Sequence, residues 1–305
     1  MEAVLASVED EIPELRLNQE GCITLPLILV FADDIIIIAE TVAQLELIVT
    51  KLKEYLGYVG LNLNEEKCKV LVREPNAPAI EELEILGRLY KTTEPLRYLG
   101  IYLTAALERP MTVRTRCRNT LRTSKIVLEF LKKYKPPWKV AKTIYESVIA
   151  PSMIYGTQTS VLTKYSRKSL RGYERQLVQS LLKHCNIQDR SAQPKSVNLL
   201  LKKRRITKKV RMYQLRWWGH VRRRPQSHPL RAAARLRPRR LRSCRPSFTY
   251  WDNILQSMNR YGEMSYDDWK ELAVNKDQFH KKLLEIYDKE ESDNSDSDWG
   301  KFSRK

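Results

Sequence analysis

Four scarcities in this 305-residue chain each close off a class of function. Its five cysteines, Cys22, Cys68, Cys117, Cys185 and Cys244, are odd in number and widely spaced, with no Cys-x-x-Cys. Neither a disulfide framework nor a paired-cysteine zinc site is expected, and a reducing, intracellular compartment fits. The opening residues include Glu2, Glu9, Asp10 and Glu11 rather than a basic patch and an apolar run, so no secretory leader is read there. The most apolar stretch, Leu25 to Ala39, has 15 residues with Asp33 and Asp34 in its middle. A bilayer span takes about 20 apolar residues, so a soluble chain with no membrane partner is expected. Finally, acidic residues almost vanish between Arg109 and Tyr250, where Glu129, Glu146, Glu174 and Asp189 stand against 37 Lys and Arg.

What is present is a core-forming composition, 42% hydrophobic and 30% charged, with a net charge of +19. The charge is unevenly placed: Met1 to Glu108 is net −10, Arg109 to Tyr250 net +33 and Trp251 to Lys305 net −4. A long positive block between mildly acidic ends points to a polyanionic partner.

Along the chain, Leu25 to Phe31 and Ile35 to Ala39 are β-branched-rich runs around Ala32-Asp33-Asp34, which predicts a hairpin buried on both faces. Thr41 to Val59 repeats apolar residues at helical spacing, with Thr41 as N-cap and Gln44 three residues on. Lys69 to Val72 reads as a further strand and Arg97 to Tyr102 as another hairpin arm. From Thr112 onward the period is helical. Leu121, Ile126, Val127, Phe130 and Leu131 lie in one such stretch, Val140, Ile144, Val148 and Ile149 on one face of a second, and Leu170 to Leu182 forms a third. Leu201 to Arg245 holds 18 basic residues and no acidic one, and its end, Arg235 to Arg245, reads as a linker. A small helical tail follows, with Trp251, Ile254, Leu255, Trp269, Leu272, Phe279 and Leu283, before an acidic, Ser-rich end. The expected fold class is α+β in the first part and mainly helical afterwards.

Two adjacent aspartates at a turn commonly do no more than cap backbone groups in water. Here the flanks Leu27 to Phe31 and Ile35 to Ile38 are wholly apolar, and the turn lacks the Gly or Asn of a two-residue hairpin. Paired carboxylates repel and are tolerated where a hard divalent cation, Mg2+ or Mn2+, neutralises them, as in two-metal phosphoryl transfer.

The string Phe31-Ala32-Asp33-Asp34, an apolar strand, a helix, Leu61-Asn62-Leu63-Asn64-Glu65-Glu66-Lys67 and Arg97-Tyr98-Leu99-Gly100 resembles, in order and spacing, the second half of a reverse-transcriptase palm. The Phe-Ala-Asp-Asp form is similar to that of non-LTR (LINE-like) retrotransposons. Lys142 to Pro151, Tyr155-Gly156 and Leu215-Arg216-Trp217-Trp218-Gly219-His220-Val221 are similar to the thumb and post-thumb segments of those proteins, and Ser265 to Ala273 to a Trp-containing helix near their ends. The resemblance implies an incomplete palm over 1–108, a helical thumb-like bundle over 109–200, a basic nucleic acid-binding segment and linker over 201–250, a helical tail over 251–290 and a loose end over 291–305. It implies that Asp33 is a metal ligand, that Asp34 is a supporting carboxylate, and that Lys67 assists proton transfer to the leaving pyrophosphate. The family commonly has Thr after that lysine, where this chain has Cys68. Tyr98, Leu99 and Gly100 match the hairpin whose backbone grips the primer end. Plain alternatives stand beside these roles: a solvated lysine for Lys67 and ordinary core packing for Tyr98 and Leu99.

The family's first catalytic aspartate lies on a strand well upstream of the paired aspartates. Here Glu2, Glu9, Asp10, Glu11, Glu14 and Glu20 precede Asp33, none in a strand-like run. The isolated chain is therefore expected to lack a nucleotide pocket and any small-molecule substrate, and not to polymerise DNA, with Mg2+ or Mn2+ bound only if the site is completed. Half a sheet is also expected to leave an unpaired edge and exposed apolar surface. The basic block does not depend on the palm. Lys202, Lys203, Arg204, Arg205, Lys208, Lys209, Arg222, Arg223 and Arg224 suit the backbones of RNA and DNA. Trp217 and Trp218 beside Arg216 suit stacking on bases, the alternative being that one tryptophan packs in the bundle while the other stays partly exposed. His220 has no Cys or His partner at zinc spacing and reads as structural. The same basic runs favour the nucleus. Two readings result: a truncated reverse transcriptase that binds template and primer, or a non-catalytic nucleic acid-binding protein derived from a retrotransposon.

Overall fold

A computed structural model describes residues 7–8, 11, 15–16, 24–25, 28–72, 80–104, 111–184, 206–234, 249–261 and 264–289. The chain divides into two units, one of residues 1–108 with 227–233 and one of residues 109–226 with 234–305. Short antiparallel strand pairs and a majority of helix give an α+β architecture, as the sequence predicts.

In the first unit, eight strands form four two-stranded antiparallel sheets among the described residues: β1 (Leu15–Arg16) with β2 (Thr24–Leu25), β3 (Ile28–Phe31) with β4 (Asp34–Ile37), β5 (Glu82–Ile85) with β6 (Arg88–Lys91), and β7 (Leu96–Tyr98) with β8 (Ile101–Leu103). Helix α1 (Val42–Tyr58) begins at Thr41, whose hydroxyl accepts from the Gln44 N–H at 3.1 Å, while the Gln44 side chain accepts from the Glu40 N–H at 2.8 Å. Its face of Ile48, Leu52 and Leu56 packs with Ile28 and Val8, and with the half-buried Val30, Ile35, Ile37 and Ile38. Among the described residues the β3–β4 hairpin is thus covered on one face, a correction to the expectation of two, because none of them forms a second layer over Leu29 and Phe31. Phe31 is 64% exposed.

Lys69 to Val72 takes no ladder partner and is not a strand, a second correction. The strands instead form at β5–β6, which the sequence reading passed over, since Glu82, Glu84, Arg88 and Lys91 obscure the alternation. The turns of the last two hairpins, Leu86-Gly87 and Leu99-Gly100, have positive φ at both residues, the twist-matched type. Gly100, at φ 76°, takes it freely, whereas Leu99, at 45°, is held by the hairpin at a cost of about 1–2 kcal/mol. Glu46 of α1 accepts from the Leu86 N–H at 3.0 Å, and Glu65 pairs with Lys53 at 2.6 Å and with Arg88 at 3.7 Å.

The second unit is helical. Helix α2 (Met111–Tyr134) packs on α5 (Lys164–His184) and on α4 (Ala150–Ile154), which continues α3 (Trp138–Ile144) through a π-turn at Tyr145–Ile149. Pro151 has no N–H to offer the Ser147 carbonyl, and the Ala150 N–H bonds back to Tyr145 instead, which shifts the register. The buried face along this run is Ala141, Tyr145, Ile149 and Met153, while Val140 and Val148 are exposed, against the expected face. Val113, Cys117, Leu131, Leu170, Leu177, Val178, Leu181, Ile206 and Val210 complete this core.

Helix α6 (Ile206–Arg222) joins a second core. Its Met212, Leu215 and Trp218 meet Ile254 and Met258 of α8 (Tyr250–Arg260), Trp269 and Ala273 of α9 (Tyr266–Val274), and Phe279, Leu283 and Ile286 of α10 (Lys276–Lys289). The short α7 (Pro229–Ala233) falls with the first unit. Helices α8 and α9 each start in a reciprocal capping box, Thr249 with Asp252 and Ser265 with Asp268. At Gly219 a β-carbon would lie 2.5 Å from Phe279 Cε1, so the glycine is what lets α6 and α10 approach. Among the described residues no helix is long and apolar enough to cross a membrane.

Candidate nucleic-acid site

The paired aspartates sit at the tip of β3–β4. Phe31 pairs with Asp34, which leaves Ala32-Asp33 as a two-residue loop with φ positive only at Ala32, the position glycine usually takes in such a turn. Asp33 is in the loop, Asp34 opens β4, and both are exposed. Among the described residues no cluster of three or more His, Cys, Asp or Glu could hold a metal ion. Mg2+ is ordinarily held by one or two carboxylates, with water and phosphate oxygens completing its octahedron, so the exposed pair has the donor chemistry for one such ion; with no third His, Cys, Asp or Glu beside it among the described residues it does not make a two-metal set, and no chemical step is derived through it.

Tyr98 ends β7 beside the Leu99-Gly100 turn. Burial raises its phenol above the ordinary value, and the Asp34 carboxylate raises it further, so the aspartate turn and this hairpin lie within each other's electrostatic reach. Leu99 and Gly100 are half-buried. Lys67 lies on an exposed turn whose N–H at Lys67 bonds to the Asn64 carbonyl at 3.1 Å and side chain at 3.3 Å. Asn64 thereby shapes the turn, and no ion pair joins Lys67 to Asp33 or Asp34.

Of the basic residues singled out, Lys202, Lys203, Arg204 and Arg205 lie outside the described residues. The rest separate sharply by environment along α6. Lys208 is 3% exposed; its ammonium donates to the Tyr287 carbonyl and lies 4.3 Å from the centre of that ring. Arg223 donates to the Ala273 carbonyl at 2.9 Å at the end of α9, and burial lowers its pKa. Both bond a carbonyl at a helix end; Lys208 is buried there, unlike the solvent-facing contact expected of it, while Arg223 stays half-buried. Trp218 is buried against Tyr266 and Phe279 and Trp217 is half-buried, which is the packing alternative rather than stacking by both. Lys209 and Arg222 are half-buried. The outer face keeps Arg216, His220 and Arg224 at four-residue spacing, with half-buried Trp217 stacked on His220 at 5.2 Å and Arg224 3.4 Å from His220.

Sequence reasoning missed the exposed aromatic rings of α2 and its neighbours, although Phe130 and Tyr134 at four-residue spacing inside a basic helix are a signal for them. It also missed the polar groups that tie the second unit together. Buried Gln214 donates to the carbonyls of Thr157 at 3.2 Å and Ser160 at 2.8 Å and accepts from Asn253 at 2.6 Å.

Residues 4–103 match the family of reverse transcriptases (RNA-dependent DNA polymerases), a stretch that holds the aspartate turn, the Asn64–Lys67 turn and the Tyr98 hairpin. About a third of the chain is therefore similar to that family. No curated protein and no solved structure matches the chain.

Proposed function

We propose that this chain is a template- and primer-binding part of a reverse transcriptase of the non-LTR, LINE-like class, with a palm-like part over 1–108, a thumb-like part over 109–200 and a basic nucleic acid-binding segment over 201–250. The observation that carries the reading is the family match across residues 4–103, with Asp33 and Asp34 presented at a hairpin tip within it. RNA and DNA are held through their phosphates by Arg216, Arg224, Lys209 and the run Lys202 to Arg205, and the same run directs the chain to the nucleus. The 305-residue polypeptide by itself does not extend a primer, because among the described residues no further carboxylate joins Asp33 and Asp34 to make the set that two-metal transfer uses. Primer extension on an RNA template with Mg2+ or Mn2+ tests this. No extension is expected, and Asp33-dependent incorporation by the purified chain would overturn it.

A second reading, a non-catalytic nucleic acid-binding protein of retrotransposon origin, is favoured by one feature: both cores of the second unit are built from that unit's own residues. Asp33→Ala separates the readings, since it matters only where a complementing polymerase part is added. Charge reversal at Lys202, Lys203 and Lys209 abolishes binding under either.

A further inference from the structure

Exposed aromatic rings collect along α2. Phe130 is 45% exposed and Tyr134 60%; they share one face of the helix with their centroids 4.9 Å apart. Tyr155, 51% exposed, and Tyr165, 54% exposed, reach α2 from the end of α4 and the start of α5. Three of these four rings carry a cation within 6 Å: Arg116 lies 4.5 Å from the Tyr155 centroid, Lys133 5.2 Å from Tyr134 and Arg114 5.6 Å from Tyr165. Arg114 Nη2 also donates to Tyr165 Oη at 2.9 Å. Helix α2 itself has seven Lys or Arg and one acidic residue, Glu129.

A second copy of this face, or any basic protein, is repelled by that charge. Duplex backbones satisfy cations but offer no base faces to solvent-facing rings. Unpaired bases on a phosphate backbone satisfy both, since every base has a π-face and every linkage a negative charge. We propose that the flank of α2 that carries Arg116, Phe130 and Tyr134, with Tyr155 beside Arg116, is a base-stacking platform for single-stranded nucleic acid, an inference that rests on the nucleic-acid-binding reading above. The aromatic rings take the bases, and Arg116 and Lys133 hold Tyr155 and Tyr134 in place while neutralising adjacent phosphates. The platform adds a preference for unpaired strands to the sequence-blind binding of the basic residues.

The test titrates the full chain, at one salt concentration, with labelled oligo(rU), oligo(dT), an abasic oligomer of the same length and charge, and the matching duplex. The base-bearing single strands are expected to bind about tenfold tighter than the abasic oligomer, and the two sugars report whether RNA or DNA is preferred. Combining Phe130→Ala, Tyr134→Ala and Tyr155→Ala is expected to remove that margin while leaving abasic affinity and the salt slope unchanged. Because these rings are exposed, thermal stability is expected to hold, and Tyr134→Phe with Tyr155→Phe is expected to retain binding. Equal affinity for base-bearing and abasic strands overturns the platform and leaves the nucleic-acid reading intact. Failure of all four probes overturns both. An alanine variant that keeps its affinity but loses self-association in sedimentation assigns the face to protein contact and overturns the proposal.

Discussion

Glu174 and Tyr145 meet inside the second unit: Tyr145 Oη donates to Glu174 Oε1 over 2.7 Å, and the same oxygen accepts the Ile206 N–H at 2.8 Å. One buried carboxylate thus ties the π-turn, α5 and the first residue of α6 together. Charge-assisted bonds of this kind contribute about 1.5–3 kcal/mol. Tyr145→Phe is expected to lower the unfolding free energy by about 2 kcal/mol, and Glu174→Leu by more, since it strands the Ile206 N–H. Urea unfolding measures this; an unchanged midpoint in both variants would show that the contact is not made.

Alkali is expected to unfold the second unit in steps. Burial pushes the Cys117 thiol up to about 12, and burial, with the Glu174 carboxylate adding to it at Tyr145, raises the phenols of Tyr145 and Tyr250 above their ordinary value. In the unfolded chain the thiol ionises near 9 and the phenols near 10. The folded state keeps the proton on each, so this stability is whole below pH 9 and is lost as pH rises, for Cys117 between about 9 and about 12. Each group steepens the loss by about 1.4 kcal/mol per pH unit once its unfolded form ionises. Cys117→Ala is expected to move the onset from about pH 9 to about pH 10, read from urea midpoints against pH.

Gly219→Ala is expected to destabilise by about 1–3 kcal/mol, because the added methyl meets a Phe279 ring already packed against Trp218 and Trp269. A drop in thermal midpoint, with loss of near-ultraviolet tryptophan ellipticity, checks it. Gain of stability would mean that α6 and α10 stand further apart.

Basic residues of α6 are expected to divide by role. Arg216→Glu with Arg224→Glu reduces the slope of log affinity against log salt by about two while leaving stability within about 0.5 kcal/mol. Lys208→Ala does the reverse: it strands a buried carbonyl at Tyr287, lowers stability by about 1–3 kcal/mol and leaves the salt slope alone. Paired salt titrations and urea curves on the two variants decide between these assignments.

Much of this was legible where periodicity and capping agree. Thr41 caps α1 as its position implies, and the buried Leu170, Leu177, Val178 and Leu181 follow their 3.6-residue pattern. Three features misled the reading. Val140, Ile144, Val148 and Ile149 read as one face, and Ile149 is buried and Ile144 half-buried as that implies, yet Val140 and Val148 are exposed and Ala141 and Tyr145 are buried instead, along a run whose register the π-turn at Tyr145–Ile149 shifts. Lys208 and Arg223 belong to a run of like charge, and nothing local distinguishes a lysine that closes a helix end from one that faces solvent. In β5 the charges alternate at Glu82 and Glu84, but in β6 they stand at the two ends, Arg88 and Lys91, so the short pair shows neither an apolar run nor a common alternation.

The sequence by itself determined the α+β character, the hairpin tip at Asp33 and Asp34, the helix start at Thr41, and the concentration of positive charge from Arg109 onward. These depend on residues within a few positions of one another, or on totals that folding leaves unchanged. Only the tertiary structure decided which of those charges faces water, which tryptophan of the Trp217-Trp218 pair is buried, and which aromatic rings of α2 remain outside. Each of these depends on what another helix, distant in sequence, places against the side chain. Burial converts a lysine into a helix cap at Tyr287, and Phe130 and Tyr134 stay open to solvent because no described element packs over them.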